Sequence, residues 1–328
     1  MNNSQNKSSQ QSSPHPPLGD RSDNRGCVVH CPATIANLVC GFDILGLALE
    51  APYDIMEVSF KDEPGITLSS SAAYNLPTIP EDNVAGASLL ALMEAYEKPV
   101  GFHVYIDKQI KPGSGLGSSA ASSAGAVVAA NHLLGNIFSN EDLVRFAMNG
   151  EKVASGVKHA DNITPCIYGG VTLIRSIFPL DIVTLDAPPL FVTVVHPQIE
   201  VKTSDARQIL RKEVLLKDAI KQWGNIAGLV AGFMKHDYQL IGRSLEDVII
   251  EPVRSILIPG FDAVKNSCKE AGALGGGISG SGPSIFMLSE HESTAKAVEV
   301  IMKNIYEKLG IDYKTYVTTI GKGGVKIV

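Results

Sequence analysis

The 328-residue chain is poor in the features that mark several classes of protein. Aromatic residues make up 6% of it with one tryptophan, and uncharged runs such as Leu190–Val195 are far shorter than the ~20 apolar residues of a membrane-spanning helix. Basic residues are also scarce, with 28 Lys and Arg against 34 Asp and Glu, so the net charge is −6. We therefore expect neither a membrane protein nor a nucleic-acid-binding protein, because the overall field repels polyanions.

Cysteine and leader signals are equally sparse. Five cysteines do not make a disulfide framework in a chain of this length, and no Cys-x-x-Cys pair is present to indicate zinc. Residues 1–25 are mostly Ser, Gln, Asn and Pro, without the apolar core of a signal peptide. We expect reduced thiols, a cytoplasmic location and a disordered tail over residues 1–25.

What is present is enough apolar material, 45% of residues, for two ordinary cores. Apolar periodicity predicts helices over 79–98, 118–134, 140–154, 260–272 and 291–310, and mainly helix over 202–257. Strands are predicted over 27–38, 42–60, 102–110, 167–175 and 190–197, a loop over 155–165, a glycine loop and then a strand over 272–288, and strands over 313–328.

The order of these elements predicts an α+β chain. The Pro-marked stretch 176–189 suggests a boundary, so we predict an N-terminal α/β domain over 26–180 and a C-terminal domain over 181–328. Helices interleaved with a few strands in the second domain fit a split βαβ sheet covered on one face.

The most informative segment is a glycine loop between a predicted strand and a predicted helix, Pro112-Gly113-Ser114-Gly115-Leu116-Gly117-Ser118-Ser119. Glycines let backbone N–H groups turn toward an anion, and a helix N-terminus adds free donors and a positive dipole end. The loop therefore predicts a phosphate site that needs no basic residue.

Three other loop motifs do not fit these letters. A Walker A loop requires GxxxxGK[ST], but no lysine follows the glycines. A dinucleotide fingerprint requires GxGxxG and an acidic residue about 20 positions on, but the spacing is GxGxG and the region around Leu133 is apolar. A hydrolase elbow requires GxSxG, which is absent here and at Gly277–Ser281.

Two further motifs accompany the loop: Pro32–Leu38 leading into Gly41–Gly46, and Gly275–Pro283. With all three, the chain from residue 27 onward resembles the GHMP small-molecule kinases. The first motif, His159–Asn162 and Glu251–Arg254 are most similar to members that act on L-homoserine. The resemblance implies a two-domain GHMP kinase fold, a homodimer, and phosphorylation of the homoserine side-chain hydroxyl to O-phospho-L-homoserine on the route to threonine.

The resemblance also implies how ATP and Mg²⁺ are held. Residues 112–119 would wrap the triphosphate, Asn83 would lie near the base, and Ser119 and Glu151 would bind Mg²⁺. One hydroxyl and one carboxylate suffice, because Mg²⁺ keeps several waters and takes phosphate oxygens as further ligands.

For the amino-acid substrate the resemblance implies a separate set of side chains: Asn37, Asp43, His159, Thr203, Arg207 and Arg254. Homoserine is a zwitterion, so its ammonium requires a carboxylate such as Asp43, and its carboxylate requires forked donors such as the two arginines. Arg207 would lie in the first turn of a helix, where the helix dipole opposes a cation.

Two departures qualify the resemblance. The family usually has Gly-Pro before Gly-Phe-Asp, but Val39-Cys40 stands here. In mevalonate and galactose kinases an aspartate acts as base a fixed step before the paired glycines, and Asn162 occupies that position here. An amide cannot accept the proton, so we expect Asn162 to orient the hydroxyl or the metal shell and the enzyme to have no dedicated base.

Several simpler interpretations stay open. They are Glu151 paired with Lys152 or Lys158, Asn83 and Thr203 as helix caps, Arg207 paired with Asp205, Arg254 paired with Glu251, and His159 as a core-edge histidine. Another GHMP kinase such as a mevalonate kinase, and a non-catalytic sensor on the same fold, are the alternative functions.

Overall fold

A computed structural model describes residues 25–201 and 203–328, without the side chains of residues 203–205. Apart from Arg25, the predicted tail lies outside these residues. Eleven strands lie in the described part: β1 (Gly26–Ala36), β2 (Leu45–Lys61), β3 (Gly65–Ser70), β4 (Gly101–Asp107), β5 (Val171–Ile177), β6 (Leu180–Leu185), β7 (Phe191–Pro197), β8 (Gly275–Ile278), β9 (Ile285–Ser289), β10 (Tyr313–Thr319) and β11 (Lys326–Ile327).

Ten α-helices and two 3-10 helices, Pro80–Asp82 and Ser255–Leu257, complete the described elements. The α-helices are α1 (Val84–Tyr96), α2 (Ser118–Leu133), α3 (Asn140–Ser155), α4 (Ile163–Tyr168), α5 (Thr203–Gln208), α6 (Leu216–Lys235), α7 (Tyr238–Ser244), α8 (Glu251–Arg254), α9 (Phe261–Glu270) and α10 (Glu292–Leu309).

The first sheet has seven strands, with the order β11-β1-β2-β4-β3, and β5 joins β2 to β6. β1 and β2 pair antiparallel with Val29 opposite Met56, whereas β3 runs parallel to β4. Helix α2 packs on β1 and β2 and also contacts α1 and α3. Its small residues allow this: a Cβ on Gly150 of α3 would come within 2.3 Å of Ser123 Oγ on α2.

The second sheet has four antiparallel strands in the order β10-β7-β9-β8. The chain order β7, helices, β8, β9, α10, β10 puts its first strand between the last and the third, which is the split βαβ arrangement. A separate apolar cluster, including Met287, Val298 and Tyr306, joins this sheet to α9 and α10. The predicted α+β, two-domain fold class is confirmed.

Two local predictions were wrong. Residues 163–168, predicted as the end of a loop and the start of a strand, form helix α4, which is short enough to escape periodicity. Gly275–Ile278, predicted as loop, is strand β8, because its three glycines let it lie close to β9: a Cβ on Gly276 would be 1.9 Å from Phe286 O. β6 lies inside the stretch predicted as a boundary and pairs with β5. The division at residues 180 and 181 stays a prediction.

Candidate active site

A cavity of about 1000 Å³ lies between the two sheets and is the candidate site. Its size is at the upper end of small-molecule pockets, which suits two substrates together. Most of the predicted site residues line it: Asn37, Asp43, Asn83, Pro112, Gly113, Gly115, Gly117, Ser118, Ser119, Glu151, His159, Asn162, Arg207 and Arg254. The fold thus brings the predicted nucleotide and amino-acid positions to one place.

The glycine loop enters α2 through two left-handed residues. Gly117, the N-cap of α2, has φ +67°, and a Cβ there would lie 1.9 Å from Thr34 Oγ1. Gly115 has φ +79°, and a Cβ there would lie 2.5 Å from Ser279 O. Both the conformation and the lack of space demand glycine, so the loop backbone faces the cavity at the N-terminus of α2.

The third motif holds this loop from behind. Ser279 Oγ donates to Gly115 O at 2.6 Å, and Ser284 Oγ donates to Ser114 O at 2.7 Å. Residues 164 to 170 positions apart in the chain are thereby joined across the two sheets. The third motif and the adjacent Ser284 therefore hold the glycine loop in place through hydrogen bonds to its carbonyl groups.

A buried ion pair beneath the loop was missed by the sequence analysis. Lys108 pairs with Asp54, and their side chains are 2% and 0% exposed. Lys108 Nζ also donates to Ser118 O at 2.9 Å and to Ser122 Oγ at 3.1 Å, both on the first turns of α2. Asp54 Oδ1 accepts from the backbone N–H groups of Gln109 and Ile110, each at 2.8 Å. The signal in the sequence was a lysine shortly before the glycine loop, but its partner Asp54 lies 54 residues away in the chain.

The predicted metal ligands lie side by side. Ser119 Oγ, in the first turn of α2, donates to Glu151 Oε2, in the last turn of α3, at 2.8 Å. Burial raises the pKa of Glu151, and the hydrogen bond from Ser119 opposes this shift. No lysine or arginine of the described part pairs with Glu151, so the alternative pairing with Lys152 or Lys158 is not seen there. A hydroxyl and an unneutralised carboxylate fit a hard divalent cation.

Asn162 lies next to the loop. Thr34 Oγ1 donates to Asn162 Oδ1 at 2.7 Å, which leaves the amide to act as a donor through Nδ2. Its neighbour Asp161, also missed, lines the cavity and is 6% exposed. Burial, with the charges of Asp43 and Glu151, raises the pKa of Asp161 to about 7. The sequence shows an aspartate there but no sign of its burial.

The first motif forms a left-handed turn that also lines the cavity. Asn37, Val39 and Asp43 have φ values of 73°, 67° and 62°. Asn37 Oδ1 accepts from Asp43 N at 3.0 Å, and Asn37 Nδ2 donates to Gly280 O at 2.8 Å. Asn37 therefore ties the Asp43 turn to the third motif, so its predicted direct contact with substrate competes with these bonds.

Asp43 is the centre of a charged group. Arg207 Nη2 donates to both carboxylate oxygens of Asp43 at 3.0 Å, and His159 Nδ1 lies 3.7 Å from Asp43 Oδ1. Burial and the two arginines lower the pKa of His159 although Asp43 raises it, so His159 faces Asp43 as a neutral ring near pH 7. Helix α5 ends at Gln208, so Arg207 lies in its last turn, and the expected opposition from the helix dipole was wrong.

Arg254 is the more buried arginine, 4% exposed. Its Nε donates to Ala206 O at 2.9 Å and its Nη1 to Gly280 O at 3.2 Å. Glu251, its suggested partner, pairs with Lys265 instead. Burial, reinforced by Arg207, lowers the pKa of Arg254 to about 10. Because the partners of Arg254 are backbone carbonyl groups rather than a carboxylate, its charge is available to a substrate carboxylate.

Four predicted residues have other surroundings. Asn83 lines the cavity, but its side chain caps α1 by accepting from Ala85 N at 2.9 Å, as the simpler interpretation held. Ser114 and Leu116 are buried beneath the loop, at 1% and 2% exposure, and do not line the cavity. The side chain of Thr203 lies outside the described part of the chain.

Comparisons with known proteins identify the family of the chain. A family model described as the GHMP kinases N-terminal domain matches residues 83–170, and one described as GHMP kinases C-terminal matches residues 229–308. The homoserine kinase of Chloroherpeton thalassium is 45% identical over 291 residues, which cover 85% of this chain and 91% of that protein. The chain belongs to the homoserine kinase family. It is therefore a GHMP kinase, for which ATP is a substrate.

Solved structures match this chain at two levels, one within the homoserine kinases and one across the wider GHMP kinase fold. The crystal structure of homoserine kinase from Cytophaga hutchinsonii matches with a TM-score of 0.90 and 45% identity. The match covers 95% of this chain and 100% of that one. The mevalonate kinase of L. major, at 16% identity, matches with a TM-score of 0.67 over 89% of this chain and 94% of its own. The second match shows the fold alone. In this homoserine kinase family member, none of the helices among residues 25–201 and 203–328 is long and apolar enough to cross a membrane.

Proposed function

We propose that this chain transfers the γ-phosphoryl group of ATP to the side-chain hydroxyl of L-homoserine, forming O-phospho-L-homoserine and ADP. The observation that carries the proposal is the meeting of Asp43 with Arg207 and Arg254 in the cavity that also contains the glycine loop. A carboxylate beside two forked cations complements an ammonium and a carboxylate on one carbon atom.

The nucleotide half of the proposal rests on the loop. The backbone of residues 112–119 and the N-terminus of α2 would bind the triphosphate, and Lys108, paired with Asp54, holds the first turn of α2 in place by donating to Ser118 O. Ser119 and Glu151 would hold Mg²⁺, which neutralises charge on phosphate oxygens when bound. Asn83 and the loop residues stay proposed nucleotide contacts.

The chemical step requires alignment more than covalent assistance. The hydroxyl oxygen forms a bond to the γ-phosphorus, the bond from that phosphorus to the bridging oxygen breaks, and ADP leaves with the electron pair. Asn162 Nδ2 would orient the hydroxyl, because Thr34 occupies Oδ1. The hydroxyl proton is lost late, and Asp161, with a pKa of about 7, is a group in the same cavity that can hold or release a proton near neutral pH.

The alternative acceptor, mevalonate, is disfavoured by Asp43. Mevalonate also carries a carboxylate and a hydroxyl, but it has no ammonium group to pair with the carboxylate of Asp43. A non-catalytic sensor would have no use for the adjacent Ser119 and Glu151.

A coupled assay of ADP release with L-homoserine, mevalonate or no acceptor tests the proposal. We expect homoserine-dependent ADP formation that Asp43→Asn lowers chiefly by raising the KM for homoserine. Asp62→Asn, an exposed carboxyl paired with Arg25, is the matched control and should behave as wild type. ADP formation with mevalonate but not homoserine would reject the substrate, and none with any acceptor would favour the sensor.

A cytoplasmic location and a homodimer belong to the same proposal. All five cysteines are free in the structure, which suits a reducing compartment. The dimer is supported by family resemblance alone, and sedimentation equilibrium tests it.

A further inference from the structure

Phe42 lies within cation–π distance of both arginines of the substrate end. Its ring centroid is 4.9 Å from Arg254 Cζ and 5.7 Å from Arg207 Cζ. Both distances are within the ~6 Å over which a guanidinium is attracted to an aromatic face. Phe42 lines the main cavity and also the small cavity behind it, which Arg254 shares.

The two arginines have a reason to move apart. Each guanidinium carries a positive charge, and the charge of Arg207 contributes to the lowered pKa of Arg254. Arg207 is neutralised by Asp43, but Arg254 has carbonyl partners and no ion pair within the described part of the chain. The charges of Asp43, Asp247 and Asp161 also attract Arg254. The negative face of the Phe42 ring is an uncharged group that lies close to both cations and attracts both.

The position of the ring is itself determined by the first motif. Phe42 precedes Asp43, whose φ of 62° and hydrogen bond to Asn37 Oδ1 hold the turn in one conformation. Asn37 is in turn bound to Gly280 O, the same carbonyl that Arg254 Nη1 contacts. The turn, the ring and Arg254 therefore form one connected unit.

We propose that Phe42 is a positioning residue that holds the guanidinium groups of Arg207 and Arg254 side by side to receive the carboxylate of the substrate. It thereby sets the preference for acceptors that carry a carboxylate. The inference rests on the proposed function, since it assigns the two arginines to the carboxylate of homoserine.

The test separates the carboxylate from the rest of the substrate. L-Homoserine is used as the substrate, and 3-aminopropan-1-ol, which keeps the ammonium and the hydroxyl but lacks the carboxylate, is used as the competing ligand. We expect Phe42→Leu to raise the KM for homoserine about tenfold, from the loss of a partly desolvated cation–π contact. The kcat and the Ki of 3-aminopropan-1-ol should change less than twofold, and Phe42→Tyr should restore the KM.

Phe60→Leu is the matched control, because Phe60 is a half-buried ring stacked on Phe102 at 5.8 Å and does not line the cavity. Phe60→Leu should leave the KM for homoserine and the Ki of 3-aminopropan-1-ol unchanged. Should the Leu variant not fold, Phe42→Met keeps a side chain of similar volume without a ring and makes the same comparison.

Equal increases in the KM for homoserine and the Ki of 3-aminopropan-1-ol would overturn the inference, since a merely structural role moves both. So would a Tyr variant no better than Leu. Failure of the proposed function looks different: wild type would not phosphorylate homoserine at all. Calorimetric titration of the same variants with homoserine then still tests Phe42, because binding of the carboxylate does not require turnover.

Discussion

Ser119 and Glu151 meet in a hydrogen bond of 2.8 Å that joins the first turn of α2 to the last turn of α3. The first turn of a helix offers free N–H donors, whereas the last turn disfavours a carboxylate. Burial disfavours the charged form of Glu151 further. A carboxylate in such a position is stabilised when a cation binds, which ties its ionisation to the metal.

Ser119→Ala and Glu151→Gln should each lower kcat by roughly 100-fold or more, because each removes a ligand that orients charge at the reacting phosphate. Steady-state kinetics at increasing Mg²⁺ measure this, together with the Mg²⁺ concentration at half-maximal rate. Glu141→Gln, on the exposed start of α3, is the control and should have wild-type kinetics. Near-normal turnover of either variant at saturating Mg²⁺ would reject the metal assignment.

Lys108→Met should destabilise the fold by about 3–5 kcal/mol, since it leaves the buried Asp54 carboxylate without its charged partner. It should also raise the KM for ATP, because Lys108 binds Ser118 O at the start of α2. Urea unfolding and kinetics measure the two effects. Lys326→Met, from an exposed pair with Glu50, should cost at most about 1 kcal/mol. The idea fails if both variants lose the same stability.

Asp161→Asn should change the dependence of stability on pH. The folded-state pKa of Asp161 is about 7, above its ordinary value of 3.8, so the folded chain binds more protons between these values. Its stabilising contribution is complete below about pH 4 and is lost as pH rises through about 7. The asparagine variant does not lose this contribution, so its stability relative to wild type should rise by ~3 kcal/mol between pH 5 and pH 8, at ~1.4 kcal/mol per pKa unit.

Urea unfolding of both proteins at several pH values, without ATP or Mg²⁺, checks this difference. Asp312→Asn, at an exposed position, controls for the loss of one carboxyl and should run parallel to wild type. A difference between wild type and Asp161→Asn that is constant over pH 5 to 8 would contradict the raised pKa.

Val39→Gly should be more stable than Val39→Ala by about 1 kcal/mol, because φ at residue 39 is 67° and a side chain is strained there. Both substitutions remove the same buried side chain, 4% exposed in wild type, so their difference isolates the backbone conformation. This position is where the resemblance predicts glycine, and the positive φ supplies the reason.

Thermal or urea unfolding of the two variants measures the difference. Asn304 is exposed on α10, and there the order should reverse, with alanine about 1 kcal/mol better than glycine. An alanine variant at residue 39 that equals or exceeds the glycine variant would show that the turn relaxes to a negative φ.

Much of the site could be predicted because its signals are local. Glycine spacing predicted the loop at the start of α2, and the resemblance of the motifs supplied the candidate ligands, most of which line the cavity. Lys108 and Asp161 could not be found in this way. Their roles depend on burial, and burial is set by which sheet covers them rather than by their neighbours in the chain.

By itself, the sequence determined the fold class and the family, since helical periodicity, the glycine loop and the three motifs are all properties of neighbouring residues. Only the tertiary structure decided the partners. Arg207 binds Asp43 from 164 residues away, Thr34 binds Asn162 from 128 residues away, and Glu251 turns to Lys265 and not to Arg254. The sequence offers each ionisable or hydrogen-bonding group several chemically equivalent partners. The packing of the two sheets determines which of them comes within about 3 Å.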